Sequence, residues 1–190
     1  MSGYCDAAPG HPLHGPYHDR EYGFPLEDES RLLERLALEI FQAGLSWLIV
    51  LKKRPTIVPA FDGFAVDRVA AYGRRDVARL LRDAGIIRNR RKIEAIVENA
   101  RRIAALRQSH GGFADWLAVH HPRDRDDWVA LFRQTFVFMG GEVVGEFLMS
   151  VGYLPGAHGE SCPVGKRIRR LRPPWMRAGR RRKKPATKNK

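Results

Sequence analysis

The chain has 190 residues, 44% of them hydrophobic, with 34 Lys+Arg against 21 Asp+Glu and a formal charge of +13. That length and apolar content suit one globular domain with a real core, and the lack of any long unbroken apolar run argues against a membrane protein. The charge is unevenly placed: residues 166–190 hold 13 Lys+Arg and no acid, which leaves 21 basic and 21 acidic side chains in residues 1–165. The basicity therefore belongs to the tail, and the body is electrostatically balanced.

The first residues, MSGYCDAAPGHPLHGPYHD, lack the basic start and apolar stretch of a secretory signal, so a cytoplasmic protein is expected. In that compartment the two cysteines, Cys5 and Cys162, read as thiols or metal ligands rather than as a disulfide. Beyond this His/Pro/Gly-rich loop, Leu32, Leu33, Leu36, Ala37, Ile40 and Phe41 recur at helical spacing, with Asp28 or Ser30 available as a cap. Gly44 is expected to end that helix, and Ser46 to start another through Trp47, Ile49, Val50 and Leu51.

Further helical patterns follow at 66–72, 74–84, 91–108, 114–120, 126–134 and 142–154, without a competing strand or hairpin signal. The expected fold is all-α, in one helical domain over 1–165, followed by a basic and largely disordered tail over 166–190. That tail could add salt-sensitive attraction to DNA phosphates, the alternative being a solvated extension.

Between the helices at 74–84 and 91–108 lies GIIRNRR, where Gly85 permits a tight turn and Ile86 and Ile87 pack the connection. Arg88, Arg90 and Arg91 flank the start of the following helix, whose free N–H groups with three arginines make a phosphate site. The pattern looks like a helix-hairpin-helix, a grip on the DNA backbone. An ordinary helical corner with exposed arginines is the competing account.

HGESC, residues 158–162, spaces His158 and Cys162 four apart, on one face of a helical turn. At the other end Cys5 is followed by His11, His14 and His18. Two thiolates and two neutral imidazoles would hold tetrahedral zinc with no open position, as a structural clasp between the chain's two ends. Buried thiols and surface histidines without metal are the alternative.

The run from Tyr17 to Arg54, with QAGLSW inside it, together with DAGIIRNRRKIEAIVENA and HGESC, strongly resembles the bacterial DNA-3-methyladenine glycosylase I family, from Cys5 to about Cys162. The resemblance implies a helix-hairpin-helix glycosylase that excises 3-methyladenine, with 3-methylguanine as a second base, from alkylated double-stranded DNA. It implies structural zinc on Cys5, His18, His158 and Cys162. It also implies base-binding roles for Glu39, Tyr17 and Trp47, with His14 where the family usually has a tyrosine, and places Gly44 and Leu45 in the stretch that fills the gap left by the extruded base.

These roles make chemical sense. Glu39 falls at the edge of the apolar stripe, where a carboxylate needs a partner such as a cationic base, although Arg35 one turn back could serve instead. Trp47 can offer a π face and Tyr17 a phenolic hydrogen bond. The hairpin holds no lysine, Lys92 lying beyond the turn, so a monofunctional hydrolase without lyase chemistry is expected. A monomer associated with the nucleoid completes the expectation.

Two departures from the family pattern stand out. Ala7 replaces an aromatic residue, which together with His14 predicts a lost aromatic wall. Gly140, Gly141 and Glu142 replace the usual turn, leaving Glu142 and Glu146 one helical turn apart, where they either reach the pocket or point to solvent.

Overall fold

Sequence periodicity becomes helix throughout. The computed structural model describes residues 3–177, and among these there are twelve α-helices, one short 3-10 turn at Asp62–Phe64 and no strand. In chain order the helices are α1 (Gly3–Ala7), α2 (His14–Arg20), α3 (Glu29–Gln42), α4 (Trp47–Ala60), α5 (Val66–Ala70), α6 (Arg74–Arg82) and α7 (Arg90–His110). They continue as α8 (Phe113–His120), α9 (Arg125–Thr135), α10 (Gly141–Ser150), α11 (Pro163–Arg170) and α12 (Pro174–Arg177).

Helix α3 is the central strut. Asp28 caps it by accepting from the Arg31 N–H, and Leu32, Leu33, Leu36, Leu38, Ile40 and Phe41 are wholly buried. It packs against α4, α7, α8 and α10. Aromatic side chains fill the centre of the body: Phe113 stacks on Phe147 at 5.7 Å, and Phe132, Phe136, Trp116 and Trp128 close around them.

Gly44, at φ +77°, ends α3 as the sequence predicts, and Ser46 precedes α4. Helix α10 stops at Ser150, short of the expected residue 154, because Gly152 turns left-handed at φ +80°.

Gly85 serves a different purpose from the one expected. Its φ is not positive; a Cβ there would instead meet Asp83 Oδ1 at 3.0 Å and the Thr56 Cβ at 3.2 Å. The α6–α7 connection is thus pressed against α4, where Thr56 Oγ1 and Lys53 Nζ donate to the Gly85 carbonyl. Ile86 is buried and Ile87 packs on the core beside it.

The expected boundary at residue 165 is corrected by the structure. Helix α11 crosses it, and Val164 and Ile168, one turn apart on its inner face, are buried in a small cluster with Cys162, Cys5 and Phe24. Arg167 lies over the Phe24 ring at 5.3 Å, and the Trp175 N–H donates to the Gly152 carbonyl. Two apolar residues at helical spacing suffice to fold this basic segment back onto the body. The rest of the expected tail, residues 178–190, lies outside the described residues.

Candidate functional site

Two elements meet on one side of the molecule: a cavity and a Cys/His cluster. The cavity, about 720 Å³, is lined by Tyr4, His14, Tyr17, Tyr22 and Trp47, by Glu39, Glu142 and Glu146, and by Gly44 with the Gly140–Gly141 turn. Its volume is that of a small-molecule site. Among the described residues, no lysine or arginine lines it.

Glu39 comes from the last turns of α3 and is only 4% exposed. It makes no side-chain hydrogen bond or ion pair among the described residues. Arg35, the partner considered from sequence, turns elsewhere: its guanidinium donates to Glu21 at 2.6 Å and lies 4.7 Å from the centre of the Tyr17 ring. Arg54 also pairs with Glu21, and Arg35 Nη1 is left buried without a partner among the described residues. Burial, and secondarily the nearby Glu146, push the Glu39 carboxyl up to about 8, with Arg35 only partly opposing them.

The aromatic walls are mutually braced. Trp47, first residue of α4, meets Tyr17 at 5.0 Å, and Tyr17 in turn lies 5.6 Å from Tyr22. The Tyr17 hydroxyl is buried without a hydrogen-bond partner among the described residues. His14 sits edge-on to Tyr4 at 5.6 Å.

Ala7 is exposed, while Tyr4, one helical turn before Ala8, and His14 line the cavity. Tyr4 and Tyr22 escape sequence reasoning. Their only signal is the density of tyrosines around Cys5 and Tyr17. Glu146, half-buried on α10, accepts from the Tyr22 hydroxyl at 3.0 Å, whereas Glu142 is exposed and paired with Arg125.

The rim beside Gly44 carries exposed apolar side chains. Leu45, Leu48 and Ile49 are partly exposed just beyond Gly44. Lys92, at the start of α7, is buried and donates to the Phe41 and Ala43 carbonyls at 2.8 and 2.5 Å, satisfying the end of α3 and fixing the Gly44–Leu45 turn. Asn89 caps α7 by accepting from the Lys92 N–H, and Arg88, Arg90 and Arg91 are all exposed there.

Cys5, His18, His158 and Cys162 place one donor atom each within 4.8 Å of one another, whereas His11 and His14 stay outside the group. The turn carrying His158 is not helical; Cys162 N–H donates to the Gly159 carbonyl, and Cys162 then precedes α11. Zinc with bonds of ~2.3 Å to sulfur and ~2.05 Å to nitrogen has S···N edges of roughly 3.5 Å in a tetrahedron. The distances here are 3.6 Å (Cys5–His158), 3.5 Å (Cys162–His158) and 3.7 Å (Cys162–His18).

Both outward imidazole nitrogens are held: His158 Nε2 against the Tyr22 carbonyl and His18 Nδ1 against Asp19, each at 2.7 Å. Burial lowers the pKa of His158. The donor set and its supports thus fit a closed zinc site.

The same helical fold is found in solved relatives. A 3-methyladenine DNA glycosylase I variant in complex with 3-methyladenine superposes with a TM-score of 0.74 and 31% identity, covering 85% of this chain and 96% of that one. DNA-3-methyladenine glycosylase 1 of Escherichia coli K12 is 47% identical over 112 residues, a match spanning 58% of this chain and 60% of that protein. The DNA-3-methyladenine glycosylase of Haemophilus influenzae is 35% identical over 166 residues, covering 77% and 89%. The methyladenine glycosylase family model matches residues 7–128. The chain belongs to the methyladenine glycosylase family.

Proposed function

We propose that this protein is a monofunctional DNA glycosylase that hydrolyses the N-glycosidic bond of 3-methyladenine, and of 3-methylguanine, in alkylated double-stranded DNA. The observation that carries the reading is Glu39: a carboxyl buried without a partner, between aromatic walls, in a cavity that no described lysine or arginine lines. The relative solved with 3-methyladenine supports the choice of base.

Methylation at N3 leaves the purine cationic, so the base departs as a neutral molecule and modest assistance suffices. The extruded base enters the cavity, where Trp47 faces the charged ring and the free Tyr17 hydroxyl donates to an edge. Glu39 accepts from the exocyclic amine and balances the positive charge, which passes to the sugar as the bond breaks and water attacks. His14 contributes to the wall beside Tyr4. Leu45, presented by the Gly44 turn, fills the gap in the duplex.

Arg88, Arg90, Arg91 and the N–H groups opening α7, with Gly85 in the preceding connection, hold the backbone as a helix-hairpin-helix would. Schiff-base lyase chemistry is disfavoured because the one nearby amine, Lys92, is committed to two carbonyls.

Cys5, His18, His158 and Cys162 would hold zinc, which when bound supplies a structural cross-link rather than a catalytic centre. No helix among the described residues is long and apolar enough to cross a membrane. A monomer in the cytoplasm, drawn to the nucleoid partly by its basic C-terminal segment, fits this role.

Chromatography of bases released from methylated duplex DNA tests the reading. Wild type should release 3-methyladenine, and Glu39→Gln should slow release at least a hundredfold. Duplex binding without release from metal-loaded wild type would reduce the protein to a DNA-binding module.

A further inference from the structure

Resting on the glycosylase reading, we infer that Glu146 is a second recognition carboxylate of the base cavity, and that it sets the preference for a positively charged base over a neutral base of the same shape. Tyr4, Tyr17, Tyr22, His14 and Trp47 form walls that take a flat purine, and their π faces already favour a cation modestly. A full negative charge favours it more strongly, and Glu146 supplies one from α10, independently of Glu39 on α3.

The setting of Glu146 is built rather than incidental. Its Oε2 accepts from the Tyr22 hydroxyl at 3.0 Å, while Oε1 has no partner among the described residues. Tyr22 is itself fixed between Tyr4 and Tyr17, and its carbonyl faces His158 Nε2. The nearest basic group on the neighbouring helix, Arg125, is taken by Glu142 at 2.6 Å.

Glu39 and Glu146 therefore share a cavity that no described lysine or arginine lines, while the third carboxylate of its lining, Glu142, is paired with Arg125. Such a pair resists carrying two negative charges until a cation enters. A cationic purine relieves that conflict, and its neutral counterpart does not.

Glu146 would then be a specificity-determining residue acting by direct contact with the base. The alternative is a structural role limited to holding Tyr22, and the two differ in what they predict for ligands of different charge. A structural role affects neutral and charged ligands alike.

The test uses the full, metal-loaded chain and two free ligands: 3-methyladenine, and 3,9-dimethyladeninium, which has the same methylated ring with a fixed positive charge. Affinities for both are measured by titration calorimetry on wild type, Glu146→Gln and Tyr22→Phe, with base release from methylated DNA measured alongside. The inference expects wild type to favour the cation, and Glu146→Gln to cut that preference about tenfold, the worth of one nearby charge in a partly buried site. Tyr22→Phe removes the hydroxyl but keeps the carboxylate, so most of the preference should survive.

A preference unchanged within twofold in Glu146→Gln, or parallel loss of both affinities, overturns the inference. Wild type that binds neither ligand yet releases base from DNA overturns it alone. Wild type that neither binds nor releases base overturns the glycosylase reading as well.

Discussion

Replacing Glu39 by glutamine should make the protein less active and, at alkaline pH, more stable. The Glu39 carboxyl is raised by burial from its ordinary 4.5 to about 8, so it stays protonated in the folded chain through a window where the unfolded chain ionises it. Folding then takes up a proton between those values. Wild-type stability should fall as pH rises through the window, by at most ~1.4 kcal/mol per pH unit, and level off above about 8.

Glutamine has the same shape and cannot ionise, so its advantage should be ~1 kcal/mol at pH 5 and reach ~4–5 kcal/mol at pH 8.5. In a chain of this size the larger figure corresponds to roughly 8–20 °C in melting temperature. Urea unfolding of both proteins at pH 5, 7 and 8.5, with the metal site saturated, measures it, and contributions from the Cys/His cluster cancel in the comparison. Parallel pH profiles would refute the reasoning: Glu39 would then be ionised at little cost, and no unpaired carboxyl would await a cation.

Cys162→Ser should lower metal content and melting temperature together, read by elemental analysis and calorimetry; an equally stable metal-free variant would remove the clasp. Deleting residues 178–190, which hold seven of the Lys and Arg side chains, should flatten the dependence of log affinity for duplex DNA on log salt by roughly 3–6 units, at about 0.9 for each phosphate no longer neutralised. Equal slopes would make that segment a bystander. Tyr17→Phe removes a buried hydroxyl that has no partner among the described residues, so stability in urea should hold or rise by ~1 kcal/mol while the KM for base release increases severalfold. A marked loss of stability would mean that the hydroxyl is satisfied within the fold.

Local patterns were legible where burial follows periodicity. The apolar stripe of α3 and the position of Glu39 at its edge could be read directly, because a carboxyl beside Leu36 and Ile40 must either find a partner or give up its charge. What escaped depends on contacts between distant elements. Lys92 stands among arginines at a helix start and reads as a solvated cation, yet the end of α3 arrives there and buries it.

Tyr4 became a wall residue only through the packing of α1 against α2 and Tyr22, which no spacing encodes. Charge density hid α11 as well: Val164 and Ile168 are just two apolar positions within a run of cations, and composition outweighed periodicity. Glu146 was within view as a neighbour of Glu142, but only the fold separates the exposed acid from the one that meets Tyr22.

The Cys/His cluster has a consequence for the order in which the molecule is made. Cys5 and His158 are 153 residues apart in the chain, so the first donor leaves the ribosome long before its partners exist. Helices α3 to α10 can pack as they emerge, but Tyr4 and Tyr22 gain their final support only when the 158–162 turn arrives. The base cavity is thus completed at the end of synthesis, and a nascent or truncated chain would carry a core without a working pocket.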